Sequence, residues 1–422
     1  MARDTHHRTT RPIRRAMWLA NANAAVWATG NGLVSTTLVI YLALELGASG
    51  IEVSLVRAAP TLIGVLRLAS PVLMTSGRKR KAVCIACYLA SALVLTLLPA
   101  VAPHHVMASV GCWSLYHLLE YVATVALWSW LGDWMPPVIR GRLIGWRERF
   151  LVAGRIVGVV ASMLLDTLWS QLDPTAPRWV PLSWSAGVGA AMMVLAVVPL
   201  WWLAPRTRKV PPAPRRVWHD IRRALTDRAY RRLLVYSFWI AFANGVTGTA
   251  QALYPARVLG ISYTQMQALR STMYAGQTAI APTCGWWIDR FGPRRLMVAA
   301  QLVVATGPLF YFMASADLPW WIVGAWLVWM AYAPLNVGLD TLKLRLIPTD
   351  GNAPPLAVYQ SVSDLAHGAT LIIGGVLFDL LTSGDTPPLE LYAGLFLLGW
   401  LLRTSAAPLA WRVPEHRTGG EI

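Results

Sequence analysis

The chain has 422 residues, of which 56% are hydrophobic and only 14% are charged, and its formal net charge at neutral pH is +17. About a quarter of the residues of a soluble domain are charged, so this composition excludes an ordinary soluble protein. The apolar residues form runs of about 20 residues, long enough to cross a hydrocarbon layer as helices. Backbone groups in lipid must be paired internally, so we predict an all-α polytopic membrane protein.

Twelve apolar runs follow one another, and we predict each to be a transmembrane helix. The first run is too long for a cleaved signal peptide. We place the spans at 18–45, 52–75, 82–102, 106–134, 143–168, 181–204, 233–257, 262–288, 295–315, 319–341, 355–381 and 389–411. The predicted domains are a tail at 1–17, six-helix bundles at 18–204 and 233–411, a linker at 205–232 and a tail at 412–422.

Basic residues predict the topology. GRKRK at 77–81, RGRLIGWRER at 140–149 and DRFGPRR at 289–295 all fall in the same set of connections, and only Arg178 and Arg257 fall in the opposite set. Short loops rich in Lys and Arg stay on the cytoplasmic side, so both termini are predicted to be cytoplasmic. The compact loops suit a bacterial inner membrane.

The positive charge is then a property of the cytoplasmic face, where anionic lipids are the expected partners rather than nucleic acid. The linker begins Pro-rich and continues, over 217–232, as a basic amphipathic helix that we expect to lie on the membrane. The CIAC at 84–87 has no second cysteine pair, so no metal is expected. We expect a monomer without cofactors, and no P-loop or nucleophile–base constellation assigns a reaction.

The two halves repeat each other. GRKRK follows the second span of the first half, as DRFGPRR follows the second span of the second half, and LGDWMPPVIRGR corresponds to LDTLKLRLIPTD. Gly77 thus aligns with Gly292, and Pro137 with Pro348, at nearly equal offsets. Parallel repeats of six helices are typical of one large group of transporters, and they make the two bundles pseudosymmetric.

The stretch GWWIDRFGPRR at 285–295 matches the pattern G-x-x-x-D-R-x-G-x-R-R, and here the chain resembles the major facilitator superfamily. The matching residues are Gly285, Asp289, Arg290, Gly292, Arg294 and Arg295. The first-half copy departs from the pattern, with Ser70 at the first glycine and Met74 at the aspartate. The family's glycine-rich antiporter signature is also missing from helix five, which weakens an exchange or drug-efflux mechanism.

The resemblance implies that this loop joins the two halves on the cytoplasmic side. Gly285 permits close helix approach, Gly292 permits a tight turn, and Asp289 suits a helix N-terminus, where the dipole favours a carboxylate. By pseudosymmetry Asp289 should face the start of helix five, near Arg142 and Arg147. The alternative is a solvated turn whose arginines only set the topology.

The resemblance also implies a solute cavity built mainly from the first and fourth helices of each half. Polar side chains at helical spacing mark those helices, for example Trp27 with Asn31 and Glu120 with Thr124. The predicted cavity residues are Trp27, Asn31, His117, Glu120, Thr124, Arg155, Asn244, Gln251, Arg270, Trp329 and Asn336. Interhelical hydrogen bonding and aromatic packing are the alternative for any one of them.

Charged residues within the spans are costly and usually face a cavity or a partner. Counted along the helices, Glu120 lies at the depth of Arg155, on the next helix, so this pair is predicted. Arg67 lies at the depth of Asp364, and the resemblance implies that helices two and eleven adjoin, so a second pair is predicted to bridge the halves. His367 could titrate near neutrality. Snorkelling or backbone contacts are the alternative.

We therefore predict a secondary transporter that moves a small solute by alternating access, with proton coupling left open. An uncoupled facilitator, a transporter-fold sensor or scaffold, and a lipid translocase are the alternatives. The identity of the solute does not follow from the sequence.

Overall fold

A computed structural model describes residues 11–46, 50–74, 76–101, 106–177, 179–205, 214–261, 263–347, 353–380 and 389–415. Within these ranges the secondary structure is helical, with no strand. The helices fall into twelve membrane-spanning positions, numbered one to twelve in chain order, and a separate linker helix.

The first half holds helices one to six. Helix one is Arg11–Leu33 and Thr36–Glu45, helix two is Gly50–Ile63 continued as the 3-10 segment Gly64–Leu73, helix three is Gly77–Thr96 with Leu98–Val101, helix four is Val106–Trp134, helix five is Arg140–Leu172 and helix six is Trp179–Trp202.

The linker helix and helices seven to twelve follow. The linker helix is Pro214–Thr226, helix seven is Arg228–Arg257, helix eight is Tyr263–Phe291, helix nine is Pro293–Ala305 with Gly307–Met313, helix ten is Pro319–Leu346 with 3-10 turns near its start and middle, helix eleven is Ala353–Leu380, and helix twelve is Leu389–Thr404 with Ala406–Trp411.

Two differences from the predicted helix boundaries affect the site. The linker helix ends at Thr226, because the side chain of Asp227 accepts a hydrogen bond from the backbone nitrogen of Tyr230 and caps a new helix there. Helix seven therefore begins before residue 233 and takes the end of the predicted amphipathic segment. Helix ten continues to Leu346, so Lys343 lies inside the helix rather than in a loop.

Helix packing repeats between the halves, as the sequence repeat predicts. Helix one packs against five and six, and helix three against four and six; in the second half, helix seven packs against eleven and twelve, and helix nine against ten and twelve. Helix eight packs against five and helix two against eleven, and these two contacts join the halves. We call the end of the molecule that carries the linker helix the linker side, and the opposite end the far side.

Eight of the described helices are long and apolar enough to cross a membrane by length and composition alone. Helices one, seven, eight and eleven do not meet that criterion, because amide, hydroxyl and charged side chains interrupt their apolar sequence. Several of these polar side chains are buried against other helices, among them Asn23, Thr247 and Gln277. Burial against protein spares these polar groups contact with lipid.

Candidate functional site: a charged cavity between the two halves

A cavity of about 550 Å³ lies between the halves, toward the linker side, and its size suits a small molecule. Helices four and five line it from the first half, and helices seven, ten and eleven from the second. Its charged, amide and imidazole side chains are Glu148, Arg155, Asn244, Asn336, Asp340, Lys343, Gln360, Asp364 and His367. Arg155, Asn244 and Asn336 are the predicted cavity residues among them.

Helix five presents two opposite charges to the cavity. Glu148 and Arg155 are seven residues apart, so they share one face of the helix about 10 Å apart along its axis. The amide of Asn336, on helix ten of the other half, donates to Glu148 Oε1 at 3.4 Å. Arg155 has no hydrogen bond or ion pair to any side chain that the structure describes. Both charges can therefore meet a solute.

A lysine is held on the opposite wall. Lys343 pairs with Asp340, one turn earlier on helix ten. Its ammonium also lies 4.8 Å from the ring centre of Tyr359 and 5.9 Å from that of Trp128, which belongs to the first half. Aromatic faces attract a cation at such distances. Lys343 thus draws helices four, ten and eleven together at the linker-side end of the cavity.

The structure brings Arg67 and Asp364 together as an ion pair between helices two and eleven. Arg67 also donates to Gln360 Oε1 at 3.2 Å and to its own helix at Gly64 O, 2.7 Å away. Its guanidinium carbon lies 3.9 Å from the ring centre of Tyr121. Arg67 is almost fully buried, whereas Asp364 keeps one edge in the cavity. His367, one turn further along, contacts Ala241 O on helix seven.

Glu120 is not among the residues that line this cavity. Its two carboxylate oxygens lie 3.2 Å from Trp27 Nε1 and 3.2 Å from His117 Nδ1. No ion pair joins Glu120 to Arg155 in the described part of the chain, in contrast to the sequence prediction, because the carboxylate is bound by Trp27 of helix one and His117 of helix four instead of by helix five. Asn31 contacts Tyr116 and Thr124 contacts Tyr88, so these two predicted residues also make contacts within the first half.

The remaining predicted cavity residues lie outside it. Gln251 accepts a hydrogen bond from Arg403. Arg270 donates to Thr37 Oγ1 at 2.5 Å, across the halves on the far side. Trp329 is buried in an aromatic cluster with Tyr311, because the missing side chain of Gly307 leaves room for its indole. The helical spacing of these polar residues is visible in the sequence, but the direction in which their side chains point depends on helix packing.

The loop that ends helix eight contacts helix five of the other half. Asp289 accepts hydrogen bonds from the backbone nitrogens of Gly141 and Arg142, each at 2.8 Å. A side chain at Gly285 would bring its Cβ to 2.5 Å from Gly141 O, so the glycine is required for this approach. Gly292 has a φ of 87°, a conformation that glycine adopts readily.

The arginines of this region have different surroundings. Arg142 supplies its backbone nitrogen to Asp289, but Arg147 lies away from the loop, buried in the first half, where it donates to Ala20 O at 2.6 Å. The expected place of Arg147 beside Asp289 is therefore wrong: the helical turn carries it to the face of helix five that meets helix one. Arg290 and Arg295 are exposed.

The turn between helices eight and nine also contacts the C-terminal segment. The backbone nitrogen of Arg294 donates to Glu415 Oε1 at 3.3 Å, and the Arg294 guanidinium carbon lies 4.8 Å from the ring centre of Trp411. Glu415 lies in the predicted tail at 412–422, where no sequence motif marks it.

Two central cavity residues were also missed by sequence reasoning. Glu148 was grouped with the basic run at 140–149, although it lies two turns before Arg155 and therefore on the same face. The predicted helix ten, 319–341, ends before Lys343. A longer helix ten would have shown Asn336, Asp340 and Lys343 on one face at spacings of four and three.

A family model described as Major Facilitator Superfamily matches residues 22–250 and again 233–421. Among solved structures, the chain is similar to the transporter FucP in an outward conformation, at 15% identity over 94% of this chain and 99% of that one, with a TM-score of 0.67. It is similar to the human organic anion transporter MFSD10, at 16% identity over 93% and 100%, with a TM-score of 0.65. It is also similar to the proton:xylose symporter XylE, at 14% identity over 96% of each chain, with a TM-score of 0.66. No curated protein sequence matches significantly.

Proposed function

Because the chain belongs to the major facilitator superfamily, we propose that it is a secondary transporter that moves a small polar solute by alternating access. The observation that carries this proposal is the cavity between the halves, which presents Glu148 and Arg155 from one half and Asn336 and Asp364 from the other. A solute bound there contacts both halves, so its binding energy can depend on how they are arranged.

Polar contacts join the halves on both sides of the cavity. On the linker side, Asp289 binds the start of helix five, and Arg140 donates to Leu344 O at 2.7 Å. On the far side, Arg270 donates to Thr37 and Arg57 donates to Gly248 O at 3.4 Å. Alternating access requires these two sets to break in turn, while the packing of helix five on eight and of helix two on eleven persists.

The cavity lining favours transport over the other classes of function. A sensor with a plugged centre would fill it with packed aromatic side chains, but Trp128 and Tyr359 are the only aromatic side chains among the described residues that line it. A lipid translocase would need a continuous apolar surface for acyl chains, whereas nine of the seventeen residues that line the cavity carry charged, amide or imidazole side chains. A water-soluble, polar solute fits better.

We place proton coupling at Glu148. It lines the cavity, belongs to a helix at the interface of the halves, and has the amide of Asn336 as its hydrogen-bonding partner rather than a cation. A carboxylate in that position can be neutralised by a proton when the cavity meets the more acidic side. Glu120, which the sequence favoured, is held by Trp27 and His117 and does not line the cavity.

The orientation follows the basic residues. The linker side carries GRKRK, RGRLIGWRER and DRFGPRR, so we propose that it faces the cytoplasm of a bacterial inner membrane, with both termini inside. The exposed basic face of the linker helix, with Arg222 and Arg223, then meets anionic headgroups, while Ile221 and Ala224 pack against the bundle.

The test is transport by purified protein in liposomes, with a solute chosen by thermal stabilisation. We expect a pH gradient to drive uphill uptake in the wild type, and Glu148→Gln to abolish it while preserving solute counterflow. Glu390→Gln, at an exposed helix start on the far side, is the matched control and should behave as wild type.

Three results would contradict parts of the proposal. Uptake that ignores both the pH gradient and Glu148→Gln indicates an uncoupled facilitator. Loss of uphill uptake in Glu120→Gln but not in Glu148→Gln would place proton coupling at Glu120 instead of Glu148. A solute that binds but is not transported would contradict the transport function and favour a sensor.

A further inference from the structure

Toward the far side of the spans, three arginines have no carboxylate partner among the described side chains: Arg57, Arg270 and Arg403. Arg403, on helix twelve, is only 3% exposed. Its Nη2 donates to Gln251 Oε1 at 3.0 Å and to Thr247 Oγ1 at 3.3 Å, both on helix seven. Each of these partners is neutral, so the charge of Arg403 is solvated by dipoles alone.

The polar atoms left over around Arg403 are all donors. Nε and Nη1 of Arg403 and Nε2 of the adjacent Gln251 are buried without an acceptor in the described structure. Buried donors of this kind are nearly always satisfied in proteins. Since an amide nitrogen and a guanidinium can only donate, the group that completes this site must be an acceptor.

Arg57 reaches the same turn of helix seven from the other half. Its Nη1 lies 3.4 Å from the carbonyl oxygen of Gly248, the residue after Thr247. Two guanidinium groups, one from helix two and one from helix twelve, therefore flank the turn from Thr247 to Gln251. Arg270 lies near enough for its charge to act on Arg57. Its partners are also neutral: the hydroxyl of Thr37, and the ring of Trp326, whose centre lies 5.9 Å from the guanidinium carbon.

Several other interior cations have acidic neighbours, whereas the buried Arg140 and Arg147, toward the linker side, donate to the backbone oxygens of Leu344 and Ala20. Arg67 pairs with Asp364, Lys343 with Asp340, and Arg80 with Asp133. Arg155 lies within electrostatic reach of Glu120 and Glu148. An uncompensated buried charge is costly and marks an ion or substrate path. The excess positive charge thus lies toward the far side, around the turn from Thr247 to Gln251 of helix seven.

We infer that the solute is an organic anion whose carboxylate or phosphate group binds the free donors of Arg403 and Gln251, a position on the far side of the cavity that Glu148 and Arg155 line. Charge-assisted hydrogen bonds to a guanidinium fork give such groups both affinity and orientation. Arg57 and Arg270 supply the positive potential that draws an anion inward from the far side. This inference depends on the proposed transport only where it treats the anion as cargo. The binding site itself is inferred from the arginines and Gln251.

The experiment measures thermal stabilisation and binding heat for purified protein with sets of probes matched in size. One set is succinate, succinamide and putrescine, another is benzoate, benzamide and benzylamine, and a third is phenyl phosphate with phenol. We expect at least one anion to bind while its neutral and cationic counterparts do not. Arg403→Gln should weaken that binding by about tenfold to a hundredfold, as for loss of hydrogen bonds to a charged group. Arg231→Gln, an exposed arginine on helix seven, should not change it.

A second variant covers the case in which Arg403→Gln fails to fold. Gln251→Glu places a carboxylate beside the Arg403 guanidinium, so it should raise the melting temperature of the empty protein and abolish anion binding. Anion binding that survives Gln251→Glu overturns the inference, as does binding of only neutral or cationic probes, or of none of the anions. Stabilisation by chloride or inorganic phosphate alone means an inorganic ion rather than an organic cargo. Anion binding without uptake in liposomes would support the binding site and contradict the proposed transport.

Discussion

The carboxylate of Asp289, at the end of helix eight, lies 2.8 Å from the backbone nitrogen of Gly141, in the first turn of helix five. Its second oxygen accepts from the next backbone nitrogen, that of Arg142. The first turn of a helix has backbone N–H groups without helical partners and a partial positive charge. The loop motif is therefore a charge–dipole contact between the two halves on the linker side.

Asp289→Asn should weaken this contact and favour separation of the halves on the linker side. The amide keeps the size but loses the charge, and a charge at a helix terminus contributes about 1 kcal/mol, a factor of about five in an equilibrium constant. The measurement is labelling of Leu339→Cys, a cavity position, after the native Cys84, Cys87, Cys112 and Cys284 have been replaced. Labelling should rise by a similar factor.

Asp317→Asn is the control for this prediction. Asp317 is exposed in the far-side connection between helices nine and ten, so its neutralisation changes the total charge equally without touching the linker side. Equal labelling in wild type and Asp289→Asn would show that the carboxylate does not hold the halves together, and that the motif is a solvated turn.

Gly285→Ala should force helices five and eight apart. Its Cβ would lie 2.5 Å from Gly141 O and 3.0 Å from Arg142 Cα, so backbone must move. Overpacking of this kind costs about 1–3 kcal/mol, which predicts a lower melting temperature and more Leu339→Cys labelling. Gly394→Ala on helix twelve is the matched control, since no atom lies within 4 Å of the added carbon. A Gly285→Ala protein as stable as Gly394→Ala would contradict the close approach.

The ion pair of Arg67 and Asp364 should stabilise the assembly of the halves. Asp364→Asn leaves the guanidinium of Arg67 buried and unpaired, and breaking a buried pair from one side costs about 3–5 kcal/mol. Adding Arg67→Met removes the stranded charge, so the double variant should be more stable than the two single losses predict. The coupling is read from melting temperatures of the four proteins in a double-mutant cycle.

A second cycle on Arg80 and Asp133 separates this effect from general destabilisation. That pair, at 2.8 Å, joins helices three and four within the first half. Its variants should lower the melting temperature without changing Leu339→Cys labelling, whereas Asp364→Asn should change both. Unchanged labelling in Asp364→Asn would mean that the pair supports packing but not the arrangement of the halves.

The helices were predictable because apolar run lengths determine them. The contact of Asp289 with helix five was predicted from the resemblance of its loop to a family motif and from the pseudosymmetry of the halves. The pair of Arg67 and Asp364 was also predictable, since equal depth on neighbouring helices brings opposite charges together.

The cavity was predictable only in part, because helix rotation and helix ends determine which side chains face it. Glu120 has the spacing of a cavity residue, but His117 and Trp27 turn its carboxylate into the first half. Lys343 faces the cavity only because helix ten continues to Leu346. The surroundings of Arg403 were not predictable, because its neutral partners come from a helix distant in sequence.

Glu415 should stabilise the start of helix nine. Its Oε1 accepts from the backbone nitrogen of Arg294, the second residue of that helix, directly after the turn at Gly292. A carboxylate in the first turn stabilises a helix by about 0.3–1 kcal/mol. Glu415→Gln should therefore speed amide hydrogen exchange at residues 294–297 by about two- to fivefold, measured by mass spectrometry.

The effect should remain local, because Glu415 contacts the loop turn rather than the helix-five contact of Asp289. Glu390→Gln removes an exposed carboxylate from the first turn of helix twelve on the far side, and it should leave exchange at residues 294–297 unchanged. If Glu415→Gln also raises Leu339→Cys labelling, the C-terminal segment acts on the arrangement of the halves, since Asp289 and Arg294 lie on either side of the same turn. If neither exchange nor labelling changes, the carboxylate lies beside the helix start without capping it.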